Sequence, residues 1–266
     1  MEFRFVHFYP DLMSLYGSYA NLCVLRRLLE QLGHTVTLTP LAPGERASLA
    51  EADLLFMGAG TERSQKAAMD SLAPLAGEIR SAASDGMPVF FAGTAMELLG
   101  AAITDSSGAT FDGIGLAGFT SVQGTRRFVE DVYGTTDLYP EAVVGFMNKC
   151  SVIRGVQTPL LTSLAMGFGN EGPRGSEGFH QANVFASELT GPLLVKNPRM
   201  LETVASVILS RRGAEIPAPF PGTPGRRKPM PSRNINCSCG AKHKQTAKSG
   251  RPEWTPAFSY VRSTSG

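Results

Sequence analysis

Apolar and polar positions alternate over Phe3–Phe8, which predicts a short strand. The pattern then changes to helical spacing through Leu22, Leu25, Leu28, Leu29 and Leu32, with Ser18 placed to cap this helix and Gly33 to close it. His34–Leu41 reads as a second strand. Asp53–Met57 is a continuous apolar run, as expected of a strand covered on both faces, and it ends in the loop Gly58-Ala59-Gly60. A helical segment runs from Glu62 to about Ser84, with a break expected at Pro74. Val89–Phe91 is the next strand, and a helix carrying Met96, Leu98 and Leu99 follows it. Strands alternating with helices imply a parallel, doubly wound sheet.

Between residues 110 and 190 the pattern differs. Glycine-punctuated apolar runs (FDGIGLAGF, RRFVEDVYG, AVVGFMN, LLTSLAMGFGN, NVFASEL) predict antiparallel strands added to the sheet edge. A last helix, from about Asn197 to Ser210, places Met200, Leu201, Val204, Val207 and Ile208 on one face. There is no internal repeat.

Composition matters most at the end of the chain. After Ser210 there are 11 Lys and Arg against 2 Asp and Glu, which leaves 14 against 21 before it; the same stretch holds 8 of the 18 prolines. An acidic globular body over 1–212 and a basic, Pro-rich, disordered tail over 213–266 are therefore expected. No apolar run approaches the roughly 20 residues of a membrane span. Together with an N-terminus patterned as a strand, this predicts a cytoplasmic protein with no membrane span. Four cysteines in 266 residues are too few for a disulfide framework.

The stretch PVFFAGTAMELLG joins a buried strand to a helix through a turn of the kind that presents a nucleophile in α/β enzymes, yet its apex offers only Gly93 and Thr94. Such an apex holds strained backbone at a cost on the order of 1–3 kcal/mol. Glycine removes most of that strain, which suits a fold kept for its shape. Thr94 has no neighbouring base in the sequence and reads as a helix N-cap.

Read in order, YPDLMSLYG, MGAGTERSQ, the elbow ending MELLG, TRRF, GFMN, GFGN and NVFASELTGPLLVKNP resemble the cobyric-acid-synthase-type class I glutamine amidotransferases, over about residues 3–212. Within them the match is to the GatD-type glutaminase subunits of lipid II isoglutaminyl synthase. The resemblance implies a flavodoxin-like three-layer α/β fold, with a mostly parallel sheet plus antiparallel edge strands. It also implies an elbow cysteine that attacks the glutamine amide, a histidine base before a Gly-Pro pair, and transfer of ammonia to a Mur-ligase-like partner, MurT. That partner amidates the D-glutamate of lipid II using ATP.

Registered on the family motifs, Gly93 stands in the nucleophile slot and Thr190 in the base slot, so no catalytic residue is assigned. Gly58, Ala59 and Gly60 occupy the loop that supplies oxyanion N–H groups in the family. Ala59 stands where the family has glycine, and would hinder the loop if positive φ is needed there. Arg127 matches an arginine near the substrate glutamine, where a guanidinium can grip an α-carboxylate; equally, it reads as a solvated strand charge beside Arg126. The expectation is a catalytically inactive subunit that acts as a scaffold, regulator or glutamine-binding partner of a MurT-like ligase.

Two other readings stay open. Cys150 and His180 could form a relocated dyad in an active amidohydrolase, and the basic tail with Trp254, Phe258 and Tyr260 could bind nucleic acid or another anionic surface, nucleic acid being the less expected partner. His7 and His34 receive no role. No cofactor is expected, and no metal either. Cys237, Cys239 and His243 supply three ligands where a structural zinc wants four, so a solvated tail is the better reading.

Overall fold

The computed structural model describes residues 1–221. Its first sheet contains β1 (Glu2–Phe8), β2 (Thr35–Leu41), β3 (Leu54–Met57), β4 (Val89–Ala92), β10 (Phe179–Gln181) and β11 (Val184–Ser187), in the order β10-β11-β4-β3-β1-β2. Every pair in it is parallel except β10 with β11.

The apolar runs LLFM and VFFA are explained by burial on both faces. Leu55, Met57, Val89 and Phe91 pack with α2 (Glu62–Leu72) and α3 (Ala76–Ser84). Leu54, Phe56 and Phe90 pack instead with α1 (Ala20–Gln31) and α5 (Pro198–Arg211). This is the expected three-layer α/β arrangement, and each of these fully buried large side chains contributes about 1.5–3 kcal/mol. The break at Pro74 is present as a 3-10 turn over Ala73–Leu75.

Most of the glycine-punctuated strands form a second sheet. It contains β5 (Ala102–Thr104), β6 (Thr110–Asp112), β7 (Thr120–Thr136), β8 (Tyr139–Arg154), β9 (Ser163–Met166) and β12 (Leu189–Thr190). Only β10 is an antiparallel edge strand of the first sheet, and β11, within NVFASEL, runs parallel to β4. The long β7–β8 hairpin breaks register between Gln123 and Phe128, where Gly124–Arg127 stand opposite Cys150 alone. A bulge of this kind bends the strand and re-aims its side chains.

Two capping expectations are corrected. The helix expected after the elbow is a 3-10 helix over Gly93–Leu99, buried at every residue, with no side-chain cap. Ser18 does not cap α1, whose N-cap is Tyr19; its hydroxyl is used elsewhere.

At the end of the body, Arg212 donates to both carboxylate oxygens of the buried Asp53, at 2.8 and 3.0 Å, and Phe220 is buried against the α1/α5 core. The segments holding Cys237, Cys239, His243, Trp254, Phe258 and Tyr260 lie outside the described residues. No helix among the described residues is long and apolar enough to cross a membrane.

Candidate functional site

Gly93 follows β4 with φ +64, the left-handed apex that an elbow requires. A Cβ placed on it would lie 2.5 Å from the Ala59 methyl and 3.1 Å from Ala59 Cα. The two residues noted separately in the sequence therefore interlock, because the methyl of one fills the volume into which a side chain on the other would project. Ala59 itself avoids positive φ. The obstacle it presents is steric.

The loop around it is held shut by hydrogen bonds. The Ala59 N–H donates to Ser18 Oγ at 3.2 Å and the Gly60 N–H to Thr94 Oγ1 at 3.0 Å, so two of the three candidate oxyanion donors already have internal acceptors. Thr94 Oγ1 also donates to Gly60 O at 3.0 Å, fastening the elbow to the loop and correcting the N-cap reading. Gly58 and Gly60 are needed for close approach. A Cβ on Gly58 would strike Ser18 Oγ and come within 2.5 Å of Met13 O, and one on Gly60 would strike Met13 Sδ.

Thr190, in β12, is buried and donates to Phe146 O at 3.1 Å. It supplies no base. The following Gly191 has φ +80, and its carbonyl accepts from Asn21 Nδ2 at 3.5 Å, while Asn21 Oδ1 accepts from the Leu194 N–H at 2.8 Å. The stretch from Leu15 to Asn21 therefore bonds both to this turn beside Thr190 and to the Gly58-Ala59-Gly60 loop, where Leu15 N donates to Ala59 O at 2.8 Å. Asn21 was missed in the sequence. The available signal was a polar residue on the Leu25/Leu28 face of an otherwise apolar stripe.

Arg127 lies in the β7 bulge. It is not simply a solvated charge, because Nη2 donates to Glu62 at 2.6 Å and Nη1 to Asn148 Oδ1 at 3.1 Å; Asn148 Nδ2 in turn donates to Tyr16 Oη at 2.8 Å. Its neighbour Arg126 stacks over Phe128 instead, 5.3 Å from the ring centroid.

Cys150 and His180 have different partners. The Cys150 thiol donates to Glu62 Oε1 at 3.3 Å, whereas the His180 ring sits 4.7 Å from that of Phe185. Burial, followed by the Glu62 carboxylate, pushes the Cys150 thiol up to about 12. Burial lowers His180.

The CobB/CobQ-like glutamine amidotransferase domain matches residues 4–198. The chain belongs to this family. Two relatives are both lipid II isoglutaminyl synthase (glutamine-hydrolyzing) subunit GatD. The Staphylococcus aureus protein is 26% identical, with 80% of this chain and 86% of that protein covered. The Streptococcus pneumoniae protein is 28% identical, covering 82% and 85%. Among solved structures, PurLQS from Thermotoga maritima aligns with a TM-score of 0.46 at 16% identity, over 80% of this chain and 99% of that one.

Beneath the elbow of this amidotransferase domain runs a buried polar chain. Gln65 Nε2 donates to Thr94 O at 2.7 Å, Gln123 Nε2 donates to Gln65 Oε1 at 2.7 Å and to Glu97 at 3.2 Å, and Ser121 Oγ donates to Glu97 at 2.5 Å. Burial, reinforced by the nearby Glu188, pushes Glu97 up to about 7. Burial likewise raises Glu177 to about 7; it accepts from the Glu188 N–H at 2.7 Å and from Ser187 Oγ at 2.9 Å.

A carboxyl raised above its ordinary 4.5 stabilises the fold in its protonated form. That contribution is complete below about 4.5 and is lost as pH rises through about 7. Urea midpoints of the wild type should therefore fall between pH 5 and 9, and Glu97→Gln should flatten the slope. Parallel wild-type and variant curves would contradict this account of Glu97.

Proposed function

We propose that this chain is a GatD-like subunit that binds glutamine without hydrolysing it, and that it scaffolds or regulates a MurT-like ligase subunit amidating the D-glutamate of lipid II. The interlock of Gly93 with the Ala59 methyl carries the reading. Covalent attack on a carboxamide needs a side-chain nucleophile and a base, whose assistance alone is worth about 10²–10⁴ in rate. Glycine and a threonine bonded to a backbone carbonyl supply neither. The two relatives named as synthase subunits support the partner, and the family match supports glutamine as ligand. The raised Cys150 thiol, bonded to a carboxylate, argues against a relocated nucleophile.

The test is ammonia release from glutamine by the purified full chain, alone and with a co-expressed Mur-ligase-type subunit. The expected result is none above the protein-free blank, together with co-purification of the ligase. Glutamine-dependent ammonia that disappears in Cys150→Ala would replace this reading with the relocated-dyad enzyme. Failure to co-purify would remove the scaffold role.

A further inference from the structure

Glu62 lies in the MGAGTERSQ stretch and received no role in the sequence, yet it bonds to groups from both strands of the long hairpin, Arg127 in β7 and Cys150 in β8. It sits in the first turn of α2, two residues beyond Gly60, in a helix whose start is fixed by the Thr61 side chain accepting from the Ser64 N–H at 3.1 Å. Its partner Arg127 comes from the second sheet, 2.6 Å away. The Glu62 and Arg127 side chains are 33% and 42% exposed, so a solute can reach the pair. As a stabilising device, an ion pair this exposed contributes little, because solvent screens it.

As a recognition device the pair is better furnished. A guanidinium carries five N–H donors. The bonds to Glu62 and Asn148 use one each from Nη2 and Nη1, which leaves donors for a further acceptor. Burial would raise the Glu62 carboxyl. Hydrogen bonds from its own backbone N–H, Arg127 and Cys150 outweigh that and hold it below the ordinary carboxylate value, so it stays an anion at neutral pH. Fixed positive and negative groups therefore stand side by side, flanked by the neutral polar groups of Asn148 and Tyr16. A free α-amino acid presents the complementary pair, an ammonium and a carboxylate on one carbon.

We propose that Glu62 is the α-ammonium acceptor of a zwitterion clamp, with Arg127 donating to the α-carboxylate, and that Glu62 thereby restricts this site to free amino acids. The assignment rests on the glutamine-binding reading above and adds to it the residue that rejects ligands lacking the amino group.

The experiment is calorimetry on the full chain with L-glutamine, with glutaramate, which lacks the amino group, and with N-acetyl-L-glutamine, whose nitrogen is neutral. A charge-assisted hydrogen bond of about 1.5–3 kcal/mol corresponds to roughly 10–100-fold, so the wild type should prefer L-glutamine over both analogues by at least about tenfold. In Glu62→Gln the preference should fall below about threefold, through weaker glutamine binding with glutaramate unchanged. Equal binding of the three compounds by the wild type, or no glutamine binding at millimolar concentration, overturns the clamp without recourse to a variant. An undiminished preference in Glu62→Gln overturns the role of Glu62, leaving the ion pair as a strut between α2 and β7. Ammonia is measured in the same samples. Its release would overturn the non-hydrolytic reading and leave the clamp standing if discrimination persists.

Discussion

Replacing Lys149 by methionine should destabilise the protein by about 3–5 kcal/mol, the cost of leaving one member of a buried ion pair uncompensated. Lys149 Nζ is hydrogen-bonded to Glu188 Oε2, and both side chains are 1% exposed. The other Glu188 oxygen accepts from Ser151 Oγ at 2.8 Å, and its backbone N–H donates to Glu177. With the ammonium gone, a carboxylate would remain among buried acidic neighbours with a single hydroxyl donor. A domain stable by about 5–15 kcal/mol loses a large share of that margin. Removing both charges together, as Lys149→Met with Glu188→Leu, should recover most of the loss, because no charge is left without its partner. Urea denaturation of the two single variants and the double variant gives the coupling energy directly. If the double variant is as unstable as the sum of the singles, the pair is not a unit.

The second large effect concerns the elbow. Gly93→Cys should cost about 2–4 kcal/mol, from a side chain at positive φ and from overpacking against Ala59. The clashing atoms are the Ala59 methyl at 2.5 Å and its Cα at 3.1 Å, neither of which belongs to a flexible chain end. Ala59→Gly combined with Gly93→Cys should regain about 1–3 kcal/mol, since the methyl is then absent while the backbone strain persists. Thermal and urea midpoints of the two variants measure this. Equal stabilities would mean that the methyl is not the obstruction.

What the sequence made legible was local or strongly periodic. LLFM and VFFA announced strands covered on both faces. Pro74 broke its helix, and Gly93 marked the apex. A helix after the elbow was expected, but its 3-10 form and complete burial were not legible, because a segment buried at every residue lacks the one-sided pattern by which helices are read.

Ser18 and Thr94 were read as caps because capping is the local use of a hydroxyl. Their actual partners are Ala59 and Gly60, distant in sequence and reached only once the loop folds against the elbow. The antiparallel strands between residues 110 and 190 were expected, but their gathering into a second sheet was not, for a similar reason: the β7 bulge at Gly124–Arg127 interrupts the alternation that would have marked a long hairpin. Lys149 and Glu188 drew no reading from the sequence, since nothing in their neighbours' identities signals burial. At the site, the glycine apex at 93 was visible as a position. The coupling of 93 to 59, and of Arg127 to Glu62, is a property of packing alone.

The contact between Ala59 and Gly93 also gives mutation a preferred order. A cysteine codon arising first at 93 yields a misfitting chain before any chemistry could reward it. Glycine arising first at 59 costs only about 0.5–1 kcal/mol of backbone freedom. Any lineage that acquires a reactive apex on this scaffold must therefore first vacate the floor beneath it.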